Sequence, residues 1–89
     1  RLVLAHSKAR NRVNDFEGAQ RWSHYLLTER EAEINDHSLQ LLTYEYAYAL
    51  WKSGQRDKAL KAIDHALKTY TQGDWKARLE KLREQMAAP

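Results

Sequence analysis

Tyr44-Glu45-Tyr46-Ala47-Tyr48-Ala49-Leu50-Trp51-Lys52-Ser53-Gly54-Gln55-Arg56-Asp57-Lys58-Ala59-Leu60-Lys61-Ala62-Ile63-Asp64-His65-Ala66-Leu67 reads as two antiparallel helices joined by a tight turn at Ser53-Gly54-Gln55. Small residues fall where the helices must cross closely, Ala47 on the first and Ala59 and Ala66 on the second. Such a pair cannot bury its own apolar faces, so the pattern implies stacked helical hairpins that together present a surface.

Outward from this stretch, the apolar spacing predicts five helices. The third covers about residues 37–52, with an inner stripe of Leu39, Leu42, Thr43, Tyr46, Ala47 and Leu50. The fourth, about 56–70, carries Ala59, Leu60, Ile63, Ala66, Leu67 and Tyr70. Upstream, a first helix over about 2–13 stops at Asn14, which tolerates the left-handed conformation, and Asp15 caps a second helix from Phe16 to about Glu33. Phe16, Ala19, Ser23, Leu26 and Leu27 mark the inner face of this second helix. Asp36 or Ser38 is expected to cap the third helix. Gln72-Gly73 ends the fourth, and Asp74 is expected to cap a fifth from Trp75 to about Met86, packed back through Leu79, Leu82 and Met86. A weak internal repeat is visible: Asn14-Asp15-Phe16-Glu17-Gly18-Ala19 aligns with Gly54-Gln55-Arg56-Asp57-Lys58-Ala59, and Leu27 with Leu67.

Composition agrees with an all-α domain. Glycine and proline number 3 and 1 in 89 residues, and no cysteine is present, which excludes disulfides and thiolate metal sites. No apolar run reaches the ~20 residues that span a bilayer. The chain begins at Arg1, which suggests a piece of a longer protein; cytoplasm and bacterial periplasm both stay open. The net charge of +3 is uneven, because Arg1, Lys8, Arg10 and Arg12 precede the first acid. A basic first segment suits an acidic partner or nucleic acid, and equally a plain solvated helix face.

The chain resembles the tetratricopeptide repeat (TPR) family on residues 40–70. Thr43, the pair Tyr46-Ala47 and Leu50 fill the family's first-helix pattern, Gly54 its turn, and Ala59, Ile63 and Ala66 its second helix. Over residues 1–34 the match is partial, through Ser7, Asn14, Phe16 and Ala19. The step from Asn14 to Gly54 is longer than the family's unit, which leaves a related helical-hairpin repeat open. The resemblance implies a right-handed superhelix of antiparallel hairpins (repeat 1 over 1–34, repeat 2 over 37–70) closed by a cap helix over 74–87. That last helix is alternatively the start of a third unit.

In this family the first helices of successive pairs line a concave groove. The resemblance therefore implies a non-catalytic protein–protein interaction module or scaffold that takes a peptide or helix of a partner. Candidate contacts are Lys8, Asn11 and Arg12 on the first helix and Tyr44, Tyr48, Trp51 and Lys52 on the third. Leu41, Tyr44, Tyr48, Trp51 and Lys52 form a second stripe beside the inner one, so the third helix is apolar nearly all round and must meet neighbours on more than one side. A stripe Leu2, Ala5, Ala9, Val13 offers another register for the first helix, with Ser7 and Arg10 facing the groove. The lysine–asparagine clamp of members that bind chaperone C-termini looks absent, since Leu4 and Lys8 occupy its first-unit places and Glu45 replaces its second asparagine. Two other functions stay open: the effector or sensor part of a transcription regulator, and a scaffold for envelope secretion or polysaccharide assembly.

Chemistry finds little support. His6, His24, His37 and His65 show no paired ligand spacing, so no metal and no cofactor is expected. Glu29, Glu31, Glu33 and Asp36 lie on a polar stretch with no apolar pocket to raise a pKa, so no enzyme is expected. Lys8, Arg10 and Arg12 do not interleave with aromatics as nucleic-acid binding requires. Lys76, Arg78, Lys81 and Arg83 make the fifth helix basic and amphipathic, as a capping helix also would be.

Overall fold

The computed structural model describes residues 6–88, which form α1 (His6–Arg12), α2 (Phe16–Glu29), α3 (Asp36–Lys52), α4 (Arg56–Thr69) and α5 (Lys76–Ala87). A single 3₁₀ turn, Glu31–Glu33, lies between α2 and α3, and there is no strand among the described residues. The expectations for Leu2, Leu4, Ala5 and the His6 side chain lie outside what is described. No helix of the described residues is long and apolar enough to cross a membrane.

The turns that join α1 to α2 and α3 to α4 share one geometry. Asn14 has φ 62° and Gly54 φ 83°, the left-handed conformation that ends a helix. The Asn14 N–H donates to Asn11 O (3.1 Å) and the Asp15 N–H to Arg10 O (2.8 Å). The Gly54 N–H donates to Trp51 O (3.0 Å) and the Gln55 N–H to Leu50 O (2.8 Å). These bonds satisfy carbonyls that the last turn leaves open. The helix starts repeat with the same step along the chain: Phe16 of α2 is followed by Arg56 of α4, and Asp36 of α3 by Lys76 of α5.

Asp15 caps α2, its Oδ1 accepting from the Gly18 N–H at 3.0 Å while its Oδ2 accepts from Arg10 Nη1 at 2.7 Å. The Gly18 N–H, and then the Arg10 guanidinium, hold this carboxyl below the usual carboxylate range. A folded pKa below the unfolded one gives stability that is present above the unfolded pKa and is lost as pH falls through the folded value. Asp15→Asn is therefore expected to reduce the acid-side slope of thermal stability below about pH 4, as followed by circular dichroism.

Several boundaries depart from the sequence reading. α2 stops at Glu29 instead of continuing to about Glu33, so α2 and α4 are both 14 residues long. Arg30 clips Glu33 through paired hydrogen bonds, one of 2.7 Å, and the turn sets Ile34 against the core. Asn35, not Asp36 or Ser38, caps α3 by accepting from the Ser38 N–H at 2.9 Å. Asp36 instead accepts from the Gln72 N–H at 3.1 Å. Asp74 does not cap α5: Trp75 holds the cap position without a side-chain bond, and the Asp74 N–H donates to His37 Nδ1 at 3.3 Å.

α3 is the hub, packed against each of the other four helices. Leu39, Ala47 and Leu50 of α3 join Ala59, Ile63, Ala66 and Tyr70, and then Leu79, Leu82 and Met86 of α5, in one cluster. Ala47, Ala59 and Ala66 are fully enclosed, which permits the close crossings of α3 and α4. Ala19, Ser23 and Leu26 are the buried residues of α2. Gln40, inside α3, bridges two chain segments: its Nε2 donates to Tyr70 O (2.6 Å) and its Oε1 accepts from the Trp75 N–H (3.0 Å). Gly73, at φ 146°, passes so close that an added Cβ would lie 2.7 Å from His37 Cα.

α1 presents Ser7 and Asn11 inward, Ser7 accepting from Ser23 Oγ at 2.6 Å. Ala9 is exposed and Val13 is 73% exposed, so the Leu2–Ala5–Ala9–Val13 stripe does not face the core over its described part. Over its described part, the hydrogen bonds of Ser7 with α2 and of Asn11 with α3 fix the rotation of this short helix.

Candidate partner-binding face

α1 and α5 both lie against α3, which places three helices side by side. Between α1 and α3 is a cavity of about 300 Å³ lined by Lys8, Asn11, Arg12, Tyr44, Glu45 and Tyr48. Five of the seven candidate contacts thus meet in one place. Trp51 and Lys52 continue the same stripe: the Tyr48 and Trp51 rings are 6.4 Å apart, and Lys52 Nζ sits 4.6 Å from the Trp51 centroid. Tyr48 also meets Phe16 of α2 edge-on at 6.1 Å.

The candidates are not equivalent. Asn11 is 7% exposed, and its Nδ2 donates to Glu45 O (3.0 Å) and Glu45 Oε1 (2.8 Å), so it ties α1 to α3. Its Oδ1 is buried without a hydrogen-bond partner. Glu45, the acid of this floor, is also buried. Lys8 and Arg12 are exposed at the rim, and among the described residues no carboxylate forms an ion pair with either. Arg10, by contrast, reaches Asp15. Tyr44 and Tyr48 are half-buried. Burial, and then the charge of Glu45, raise the Tyr44 phenol, which therefore stays protonated at neutral pH.

A second cavity, of about 280 Å³, adjoins on the α5 side and is lined by Tyr44, Arg78, Lys81, Leu82 and Gln85. Tyr44 belongs to both cavities and meets Trp75 edge-on at 5.4 Å, while the Arg78 guanidinium lies 4.4 Å from the Trp75 centroid. The sequence reading assigns no contact to α5. A signal is present, however: the repeat that carries Asn14 onto Gly54 also carries Leu41 and Glu45 onto Lys81 and Gln85.

Across α3 from Tyr44 and Tyr48, Tyr46 helps to line a more apolar cavity of about 330 Å³ between α2 and α4, with His24 and His65 at its edges. Among the described residues no three His, Cys, Asp or Glu side chains come together as a metal site. Glu33 pairs with Arg30, and Glu31 accepts from the Tyr70 hydroxyl. These acids of the local cluster thus serve as structural ties. Comparison of the chain with protein-family models, curated proteins and solved structures gives no match.

Proposed function

We propose that this chain is a non-catalytic protein-interaction module whose face formed by α1, α3 and α5 takes a peptide or helix of a partner protein. Its hairpins follow a TPR-like, right-handed superhelical arrangement. The observation that carries the functional reading is the half-buried row Tyr44, Tyr48 and Trp51, bordered by Lys8, Arg12 and Lys52. Tyrosine, tryptophan and arginine are the residue types enriched among the hot spots of protein interfaces. The arrangement draws support from the shared geometry of the turns at Asn14 and Gly54 and from the contacts of α1 and α5 with α3. The repeated step between helix starts makes α5 the counterpart of α3, as the first helix of a further pair would be.

The double change Tyr48→Ala/Trp51→Ala is expected to weaken partner binding by about 2 kcal/mol or more, roughly 30-fold in Kd. Affinity capture with wild type and the double variant, followed by titration of the captured species, provides the measurement. Equal yield and equal affinity would remove the α3 row from the site.

A further inference from the structure

The two cavities that share Tyr44 form one trough across α3, with a pair of cations at each end. Lys8 and Arg12 stand at the α1 end, Arg78 and Lys81 at the α5 end, and all four are exposed. Among the described residues none of the four forms an ion pair with a carboxylate, although Arg21, Arg30 and Arg83 are each paired elsewhere. Between the ends the lining is Tyr44, with Tyr48 on one side and Leu82 on the other, and with Asn11 and the buried Glu45 in the floor of the α1 side and Gln85 on the α5 side. Two positive ends thus flank a largely aromatic middle, while the one acid of the floor, Glu45, is buried and accepts from Asn11 Nδ2.

From this we infer that the ligand is an extended peptide segment with two acidic clusters, one for each end, and an apolar side chain midway for Tyr44. The inference rests on the groove reading above and specifies its ligand. Packed helices stand about 8–10 Å apart, so α1 and α5 are separated by about 16–20 Å across α3. An extended chain rises about 3.3 Å per residue, which places the acidic clusters about five or six residues apart. Each cluster alone meets an exposed cation pair, whose attraction is weak and screened by salt. Joined by a spacer of matching length, the second contact becomes intramolecular and strengthens the first.

A single-stranded nucleic acid offers negative charge too, but it needs open aromatic faces for base stacking. Here each ring is partly covered by a neighbour, which leaves room for a side-chain contact but not an uninterrupted stacking platform. Tyr44 meets Trp75 and Tyr48 meets Phe16 edge to face, and Lys52 and Arg78 cover Trp51 and Trp75.

The test uses fluorescence anisotropy with synthetic peptides. One carries two Asp-Glu pairs separated by a neutral spacer of the matching length with a central leucine. A second has one pair changed to serines, and a third holds all four acids in one run. An oligodeoxythymidine serves as the nucleic-acid probe. The first peptide is expected to bind at least about tenfold tighter than the other two. Arg78→Ser/Lys81→Ser, at exposed positions, is expected to remove that advantage while weakening the one-pair peptide no more than about twofold, since that peptide still meets the α1 pair. Equal affinities of the three peptides, or no effect of the α5 double change, overturn the two-ended ligand. If Tyr48→Ala still weakens peptide binding in that case, the groove reading survives. If no peptide binds, or Tyr48→Ala changes nothing, the groove reading falls with it. Tighter binding of the oligonucleotide than of any peptide overturns the proposal in favour of nucleic acid.

Discussion

Gln40→Leu is expected to lower the unfolding free energy by about 2–4 kcal/mol, read from urea denaturation of wild type and variant. Gln40 is completely buried, and its amide serves both Tyr70 O at the end of α4 and the Trp75 N–H at the start of α5. Leucine fills similar space but satisfies neither group, and an unpaired backbone group out of water costs about 1–3 kcal/mol. The loss should be local as well as global. Amide exchange in the first turn of α5 is expected to accelerate more than in α2, because Trp75 has no side-chain cap to replace the Gln40 contact. Gln40→Glu keeps an acceptor for Trp75 but sets a second acceptor against Tyr70 O. It is therefore expected to destabilise as well, and more strongly as the carboxylate ionises.

The second large effect belongs to Leu50, 1% exposed in the cluster that joins α3, α4 and α5. Leu50→Ala removes buried methyl groups and leaves a cavity, at about 2–5 kcal/mol. A domain of this length has a total stability of about 4–13 kcal/mol. The variant is thus expected to show a cooperative transition at much lower denaturant, or to be substantially unfolded at room temperature. The exposed Lys81→Ala provides the contrast, with an expected stability change within about 0.5 kcal/mol.

The residues that make turns and crossings were legible before the structure. Asn14 and Gly54 tolerate the left-handed backbone that ends α1 and α3, and they adopt it. Ala47, Ala59 and Ala66 are small at the positions where α3 and α4 approach, and all three are enclosed. The near-continuous apolar circumference of α3 marked it as a helix with neighbours on several sides, and it touches all four others. These features are local: they depend on residue shape and on a period of about 3.6.

What sequence pattern missed is long-range and polar. Gln40 and Glu45 receive no core assignment from the sequence and Asn11 is assigned to the groove, yet each is buried with a partner on a distant part of the chain. Periodicity cannot report a hydrogen bond to a distant backbone group. The rotation of α1 was ambiguous for the same reason, since the bonds of Ser7 with Ser23 and of Asn11 with Glu45 cannot be read from a local period. The end of α2 and the caps of α3 and α5 each fall one or a few positions from where the pattern puts them. There, neighbouring Asn, Asp and Ser compete for one role, and tertiary contacts decide among them. In the candidate face, the α1 and α3 contributions followed from the family resemblance, whereas Arg78 and Lys81 required the packing of α5 on α3.

The most direct test of the trough as the binding site is a residue-resolved NMR titration of the chain with the two-cluster acidic peptide. Chemical-shift changes are expected along Lys8, Arg12, Tyr44, Tyr48, Arg78 and Lys81, with little change on the α2–α4 side around His24 and His65. Changes centred on that opposite side, or none at saturating peptide, would contradict it.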